Sequence, residues 1–91
     1  MPTFRIKLVS VALSGRDTLD LAFSDGSTAR WSAAGLLARD TVLTRPLRDH
    51  GYFKRAFIET GALAWPNGLE LSAHGLHRRL DEAGLLRGAP A

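Results

Sequence analysis

His74, His77 and Asp81 fall at i, i+3 and i+7 of a helical register, so their side chains would share one stripe and could offer a metal two imidazoles and a carboxylate. Two features oppose that chemistry. Arg78 lies in the same stripe and would repel a cation, and three ligands fall short of the four that a structural zinc usually takes. The stripe also lies opposite Leu76 and Leu80, where a solvated face belongs. Asp17, Asp20 and Asp25 offer paired carboxylates for acid–base work. However, Asp17 follows Gly15 and Asp25 precedes Gly26, positions at which aspartate serves turns. Neither a Gly-x-Ser-x-Gly elbow, a phosphate-cradling glycine loop nor a dinucleotide fingerprint occurs. The chain therefore reads as non-enzymatic, with no catalytic, cofactor or metal site.

The basic residues are the third source of chemistry. HGYFKRAFI, His50 to Ile58, interleaves aromatics with bases in the manner of an RNA-reading strand, but Phe53 stands where that motif needs a small residue. Arg45, Arg48, Lys54, Arg55, Arg78 and Arg79 would form a nucleic-acid surface if the fold brought them together. Arg45, Arg48, Lys54, Arg55, His74, His77 and Arg78 are accordingly the candidate contact residues, for a protein partner first and nucleic acid as the alternative. The net charge is only +3, although ten of the twelve basic residues are arginine, so the cationic bias is mild.

These side chains must be positioned by a small fold. Ninety-one residues make one domain, 1–91, with an expected ordered core over 4–85 and a flexible tail over 86–91. Hydrophobic residues make up 45% and charged residues 23%, which excludes a disordered composition. No cysteine is present, so disulfides and thiolate zinc sites are excluded. The N-terminal apolar run is too short, and too broken by Arg5 and Lys7, for a signal peptide or membrane span; the cytoplasm is the expected location.

Alternation predicts a strand over Arg5–Leu13, with Ile6 and Leu8 on one face and Lys7, Val9 and Val11 on the other. Leu19, Leu21 and Phe23 mark a second strand. Asp25-Gly26 predicts a tight hairpin with two positive-φ residues, leading to a third strand over Thr28–Trp31. Ser32 caps a short helix, Ala33–Arg39, and Pro46 opens another that ends at Gly51. A fourth strand is expected over Phe53–Thr60, with Phe53 and Phe57 on one face, and a fifth over Leu63–Trp65. Pro66-Asn67-Gly68 makes a corner that buries Trp65, whose indole N–H then needs an acceptor.

Ser72 caps the terminal helix. Ala73, Leu76, Leu80 and Ala83 share its apolar face, and His74, His77 and Arg78 stay outside. Gly84 fits the left-handed C′ position, with a Leu80–Leu85 contact closing the cap. No internal repeat is apparent. The fold class is α+β: a small, mostly antiparallel β-sheet with a C-terminal helix on one face and short helical turns in the middle connection.

Phe23-Ser24-Asp25-Gly26, Arg45-Pro46-Leu47-Arg48-Asp49 and Trp65-Pro66-Asn67-Gly68, followed by Glu70 and Leu76, resemble the small bacterial family called domain of unknown function (DUF) 2442. The likeness spans Phe4 to Leu80. Members of that family usually carry an aspartate after the third strand and Asp-Leu-Asp-Pro near the second motif; here Trp31-Ser32 and Glu70-Leu71-Ser72-Ala73 stand instead. The resemblance implies a compact α+β domain without established catalytic activity, which binds a protein partner encoded by an adjacent gene. It implies an antitoxin-like role beside a toxin-like protein. Some members add a helix-turn-helix domain, which is not expected here. A homodimer is the other partnership that a small sheet protein of this kind allows.

Overall fold

The computed structural model describes residues 6–88. Phe4 and Arg5, where the family likeness and the first expected strand begin, lie outside the described residues, as do residues 89–91 of the expected tail. The fold is α+β and antiparallel throughout, as expected, but the strands divide into two three-stranded sheets.

The first sheet comprises β1 (Leu8–Leu13), β2 (Thr18–Phe23) and β3 (Thr28–Ser32), in the order β1-β2-β3. Leu19, Leu21 and Phe23 are buried, as the period of two along β2 dictates. β1 departs from that period. Leu8 faces Phe23 and Ser10 faces Ala22, so Val9 is an extra residue, a β-bulge, and it stays 58% exposed. The bulge carries Val11 onto the same core as Leu8 and Ile6, correcting the expected separation of Val11 from those two. At the β2–β3 turn, Gly26 N–H donates to Phe23 O (3.0 Å) and Phe23 N–H to Ser27 O (2.8 Å), and only Gly26 has positive φ, 89°. This is a type I turn closed by a glycine bulge, not the expected turn with two positive-φ residues.

The second sheet comprises β4 (Phe57–Glu59), β5 (Ala62–Ala64) and β6 (Glu70–Leu71), in the order β4-β5-β6. Thr60 (φ 51°) and Gly61 (φ 83°) turn β4 into β5, and a β-branched residue is strained at that angle. The tip of this hairpin joins the two sheets, because Gly61 O accepts the Leu8 N–H at 2.8 Å. The corner after β5 repeats the β2–β3 turn. Gly68 N–H donates to Trp65 O (3.1 Å), Trp65 N–H donates to Leu69 O (3.0 Å), and Gly68 has φ 94°. β6, too short to leave a pattern in the sequence, is the return strand of that turn.

Short helical segments connect the sheets: α1 (Ala34–Leu37), a 3₁₀ turn (Arg45–Arg48) and α2 (His50–Phe53). Phe53 is therefore helical and 1% exposed, whereas Phe57 is 38% exposed, which overturns the strand expected to begin at Phe53. Asp49 is the cause. Its extended backbone (φ −79°, ψ 120°) breaks the preceding turn, and its carbonyl accepts the Tyr52 and Phe53 N–H groups, so a new turn starts with Gly51 inside it. Trp65 lies against Phe53, ring centroids 5.8 Å apart, and its indole N–H donates to Phe53 O at 2.9 Å. That carbonyl is the acceptor the buried indole requires.

α3 (Ala73–Glu82) starts at Ser72, whose hydroxyl accepts the Gly75 N–H at 3.0 Å, and it buries Ala73, Leu76 and Leu80. Ala83, expected on that face, is exposed. Gly84 (φ 72°) ends the helix with Leu85 N–H on Leu80 O (2.9 Å) and Gly84 N–H on Asp81 O (3.0 Å), the Schellman pair. Leu85 nonetheless remains 46% exposed, and Leu86 packs on the core in its place. Arg87 and Thr28 then exchange two backbone hydrogen bonds of 2.8 Å, which place the start of the expected tail beside β3.

The two sheets end alike. Ser32-Ala33-Ala34-Gly35-Leu36 begins on the last residue of β3 and Ser72-Ala73-His74-Gly75-Leu76 directly follows β6, with Ala33, Ala73, Leu36 and Leu76 all buried. The chain thus runs twice through three strands and a helix. The repeat escapes inspection of the sequence because β3 has five residues and β6 only two, which offsets the two motifs.

Candidate functional site

The terminal helix does not leave all its polar residues in solvent. His77 Nε2–H donates to Asp25 Oδ2 at 2.8 Å, the two side chains being only 21% and 24% exposed, and the edge of the His77 ring meets Phe23 with centroids 5.2 Å apart. The same carboxylate accepts the Ser27 N–H at 2.9 Å and the Ser27 hydroxyl. Burial pushes the Asp25 carboxyl up, but the Ser27 hydroxyl, the Ser27 N–H and His77 outweigh it and hold the carboxyl below its ordinary range. His77 is thus a clamp between α3 and the β2–β3 turn, correcting its expected outward place. Serine, histidine and aspartate do meet here, but with the carboxylate in the middle and Ser27 0% exposed. A hydrolytic triad needs the imidazole between the other two and an accessible hydroxyl.

The four candidate arginines are held locally. Arg45 Nε–H donates to Asp40 at 2.7 Å, and Arg48 approaches the same carboxylate at 3.9 Å. Arg45 first, with Arg48 assisting against a small desolvation, holds the Asp40 carboxyl below its ordinary range. Arg48 also donates to Leu37 O (3.0 Å), at the end of α1, and to Arg39 O (3.2 Å), two residues beyond it. Arg55 lies over the Tyr52 ring at 5.6 Å, and Arg78 pairs with Glu82 one helical turn on, at 3.4 Å. Lys54 and His74 are exposed. Arg45 and Arg48 are therefore brought together, but on a carboxylate and a helix end. A phosphate would have to displace Asp40 to use them. Among the described residues, no group of three or more histidine, aspartate or glutamate side chains is placed to hold a metal ion.

Among the described residues, little covers the outer face of the first sheet. Ser10, Ala12, Ala22 and Thr28 floor an open trough of about 530 Å³, with Arg30 and Arg87 among the residues lining it. Arg30 is paired across the sheet to Asp20 at 2.9 Å. The free edge of β1 adjoins this face. Ser14 N–H donates to Thr18 O at 3.0 Å, so by the two-residue period the backbone groups of Val11 and Leu13 point away from β2. Neither has a further backbone partner among the described residues. Val9 and Leu13 beside them are 58% and 44% exposed. No charged residue occurs from Leu8 to Gly15, a signal in the sequence that an edge here would be unguarded.

Comparison with protein-family models, curated proteins and solved structures returned no match. No helix among the described residues is long and apolar enough to cross a membrane.

Proposed function

We propose that the chain is a non-enzymatic protein-interaction module, acting as the antitoxin-like partner of a small toxin-like protein encoded beside it. The open outer face of the first sheet carries this reading: small side chains floor a trough that a protein segment can enter. The resemblance of Phe23-Ser24-Asp25-Gly26 and Trp65-Pro66-Asn67-Gly68 to the domain of unknown function (DUF) 2442 family supports the same role. Co-purification with the product of the adjacent gene tests it. The expected result is a stable complex and relief of that product's toxicity, both lost when Ser10→Arg fills the trough without lowering the melting temperature. A neighbour that neither binds nor is neutralised would remove this function.

A further inference from the structure

The free edge of β1 has limits that can be read from hydrogen bonds. At its start, Gly61 O takes the outward N–H of Leu8, and at its end the chain turns back where Ser14 N–H meets Thr18 O. Between these limits, Val11 and Leu13 direct their backbone groups outward and no side chain is charged. Two outward-facing residues separated by one inward-facing residue form a self-complementary pattern, because a two-fold axis through the middle residue sets each opposite the other.

We propose that β1 is a self-association edge, two copies pairing antiparallel about a two-fold axis at Ala12 to join their first sheets into one. This rests on the interaction-module reading and names a second copy as the occupant of the edge, leaving the outer face for the other partner. Val11 of each copy lies opposite the partner's Leu13, and four backbone hydrogen bonds form between them. Both side chains are on the core side, so Leu13, 44% exposed in the single copy, is covered by its neighbour's Val11. Ala12 meets the partner's Ala12 on the outer side, where small residues let the backbones approach. The axis is perpendicular to the sheet, so both troughs open on the same side of the joined sheet. A foreign strand would need a matching neutral apolar sequence, whereas a second copy supplies one by symmetry. The contact is short and well below the standard interface of about 1,600 Å², so the dimer is weak and concentration-dependent.

Sedimentation equilibrium of the full chain from about 10 μM to about 1 mM, the range in which small interfaces populate, tests the pairing. The mean mass should rise from 9.9 kDa toward twice that value. Amide exchange at Val11 and Leu13 should slow at least tenfold over the same range, while exchange at β3 stays unchanged. Leu13→Lys should hold the chain at the monomer mass with an unaltered far-ultraviolet spectrum, and Val42→Lys, at a position 80% exposed elsewhere, should not. A constant mass of 9.9 kDa, amides at Val11 and Leu13 indifferent to concentration, or equal effects of the two lysines would overturn the proposal. If Leu13→Lys unfolds, the wild-type amides decide. A monomer that still binds the neighbouring gene product would sink only the dimer, and a dimer that binds nothing else would sink only the antitoxin role.

Discussion

Phe23-Ser24-Asp25-Gly26 and Trp65-Pro66-Asn67-Gly68 build the same turn in two different sheets, and the third residue of each does a second task. Asp25 accepts the Ser27 N–H and Asn67 accepts the Leu69 N–H, at 2.9 and 3.2 Å. With its remaining atom Asp25 reaches His77 on α3, whereas Asn67 donates to Leu43 O in the middle connection at 2.9 Å. The leading aromatic is buried in both, Phe23 to 2% and Trp65 to 1%. One turn geometry thus serves twice as a bracket. The choice between a carboxylate and an amide follows the group that each bracket must hold, an imidazole N–H in one case and a carbonyl in the other.

The aromatics should show the largest difference. Trp65→Ala removes a buried ring and leaves Phe53 O without its indole donor. A loss of about 3–5 kcal/mol is expected from the cavity alone, against a total of about 5–14 kcal/mol for a chain of this size. Phe53 O keeps the Ala56 N–H at 3.2 Å, so Trp65→Ala costs the larger ring and one hydrogen bond, whereas Phe23→Ala removes a smaller ring and no hydrogen bond and should be the milder of the two. Trp65→Phe keeps much of the volume and isolates the hydrogen bond, at about 1.5 kcal/mol. Urea unfolding of the three variants gives the ranking, and a milder Trp65→Ala than Phe23→Ala would end the view of Trp65 as the heavier bracket.

Exchanging the third residues should cost less, about 1 kcal/mol each, and the pH dependence separates them. The Asp25 carboxyl is held below its ordinary value of 3.8 in the folded chain, so its contribution is fully present above that pH. It is lost as pH falls through the folded-state value. Asp25→Asn should therefore be less stable than wild type near neutrality and equal to it in acid, because wild type declines. Asn67→Asp puts a carboxylate against Leu43 O; acid should restore it, because the protonated group can donate again. Urea midpoints followed from neutral pH down through the acid range below 3.8 measure both, and parallel curves for wild type and Asp25→Asn would refute the clamp.

What was legible in the sequence had local causes. Ser72, Gly84 and the leucines of α3 act within a few residues of themselves, and so does the turn at Gly26. The bulge at Val9 was not legible, since it exists only relative to the register with Phe23 and Ala22. Nor was the clamp of His77, whose partner lies fifty-two residues away and whose helical position marks it as outward. Phe53 misled because its apolar neighbours fit a strand, while Asp49 four positions earlier sets the helical turn that contains it. The trough could not be placed, because small residues on an outer strand face have the composition of any solvated sheet. The open edge left a trace, the absence of charge from Leu8 to Gly15, whose meaning depends on which strand ends the sheet.

The smallest expected effect tests whether the two Ser-Ala-x-Gly-Leu motifs are equivalent. Each places a glycine inside a helix, where alanine is better by about 0.8–1 kcal/mol. A methyl group at Gly35 would meet nothing within 4 Å, whereas one at Gly75 would lie 3.0 Å from Ser72 Oγ. Ser32 hydrogen-bonds the Ala34 N–H, one residue before the glycine, whereas Ser72 hydrogen-bonds the glycine's own N–H. Gly35→Ala should thus stabilise by up to about 1 kcal/mol, raising the melting temperature by roughly 4–8 °C. Gly75→Ala should come out near zero, because displacing the cap costs about what the helix gains. Equal gains at both sites would mean that the serine hydroxyl moves aside freely, and the cap at Ser72 would then hold α3 no more firmly than Ser32 holds α1.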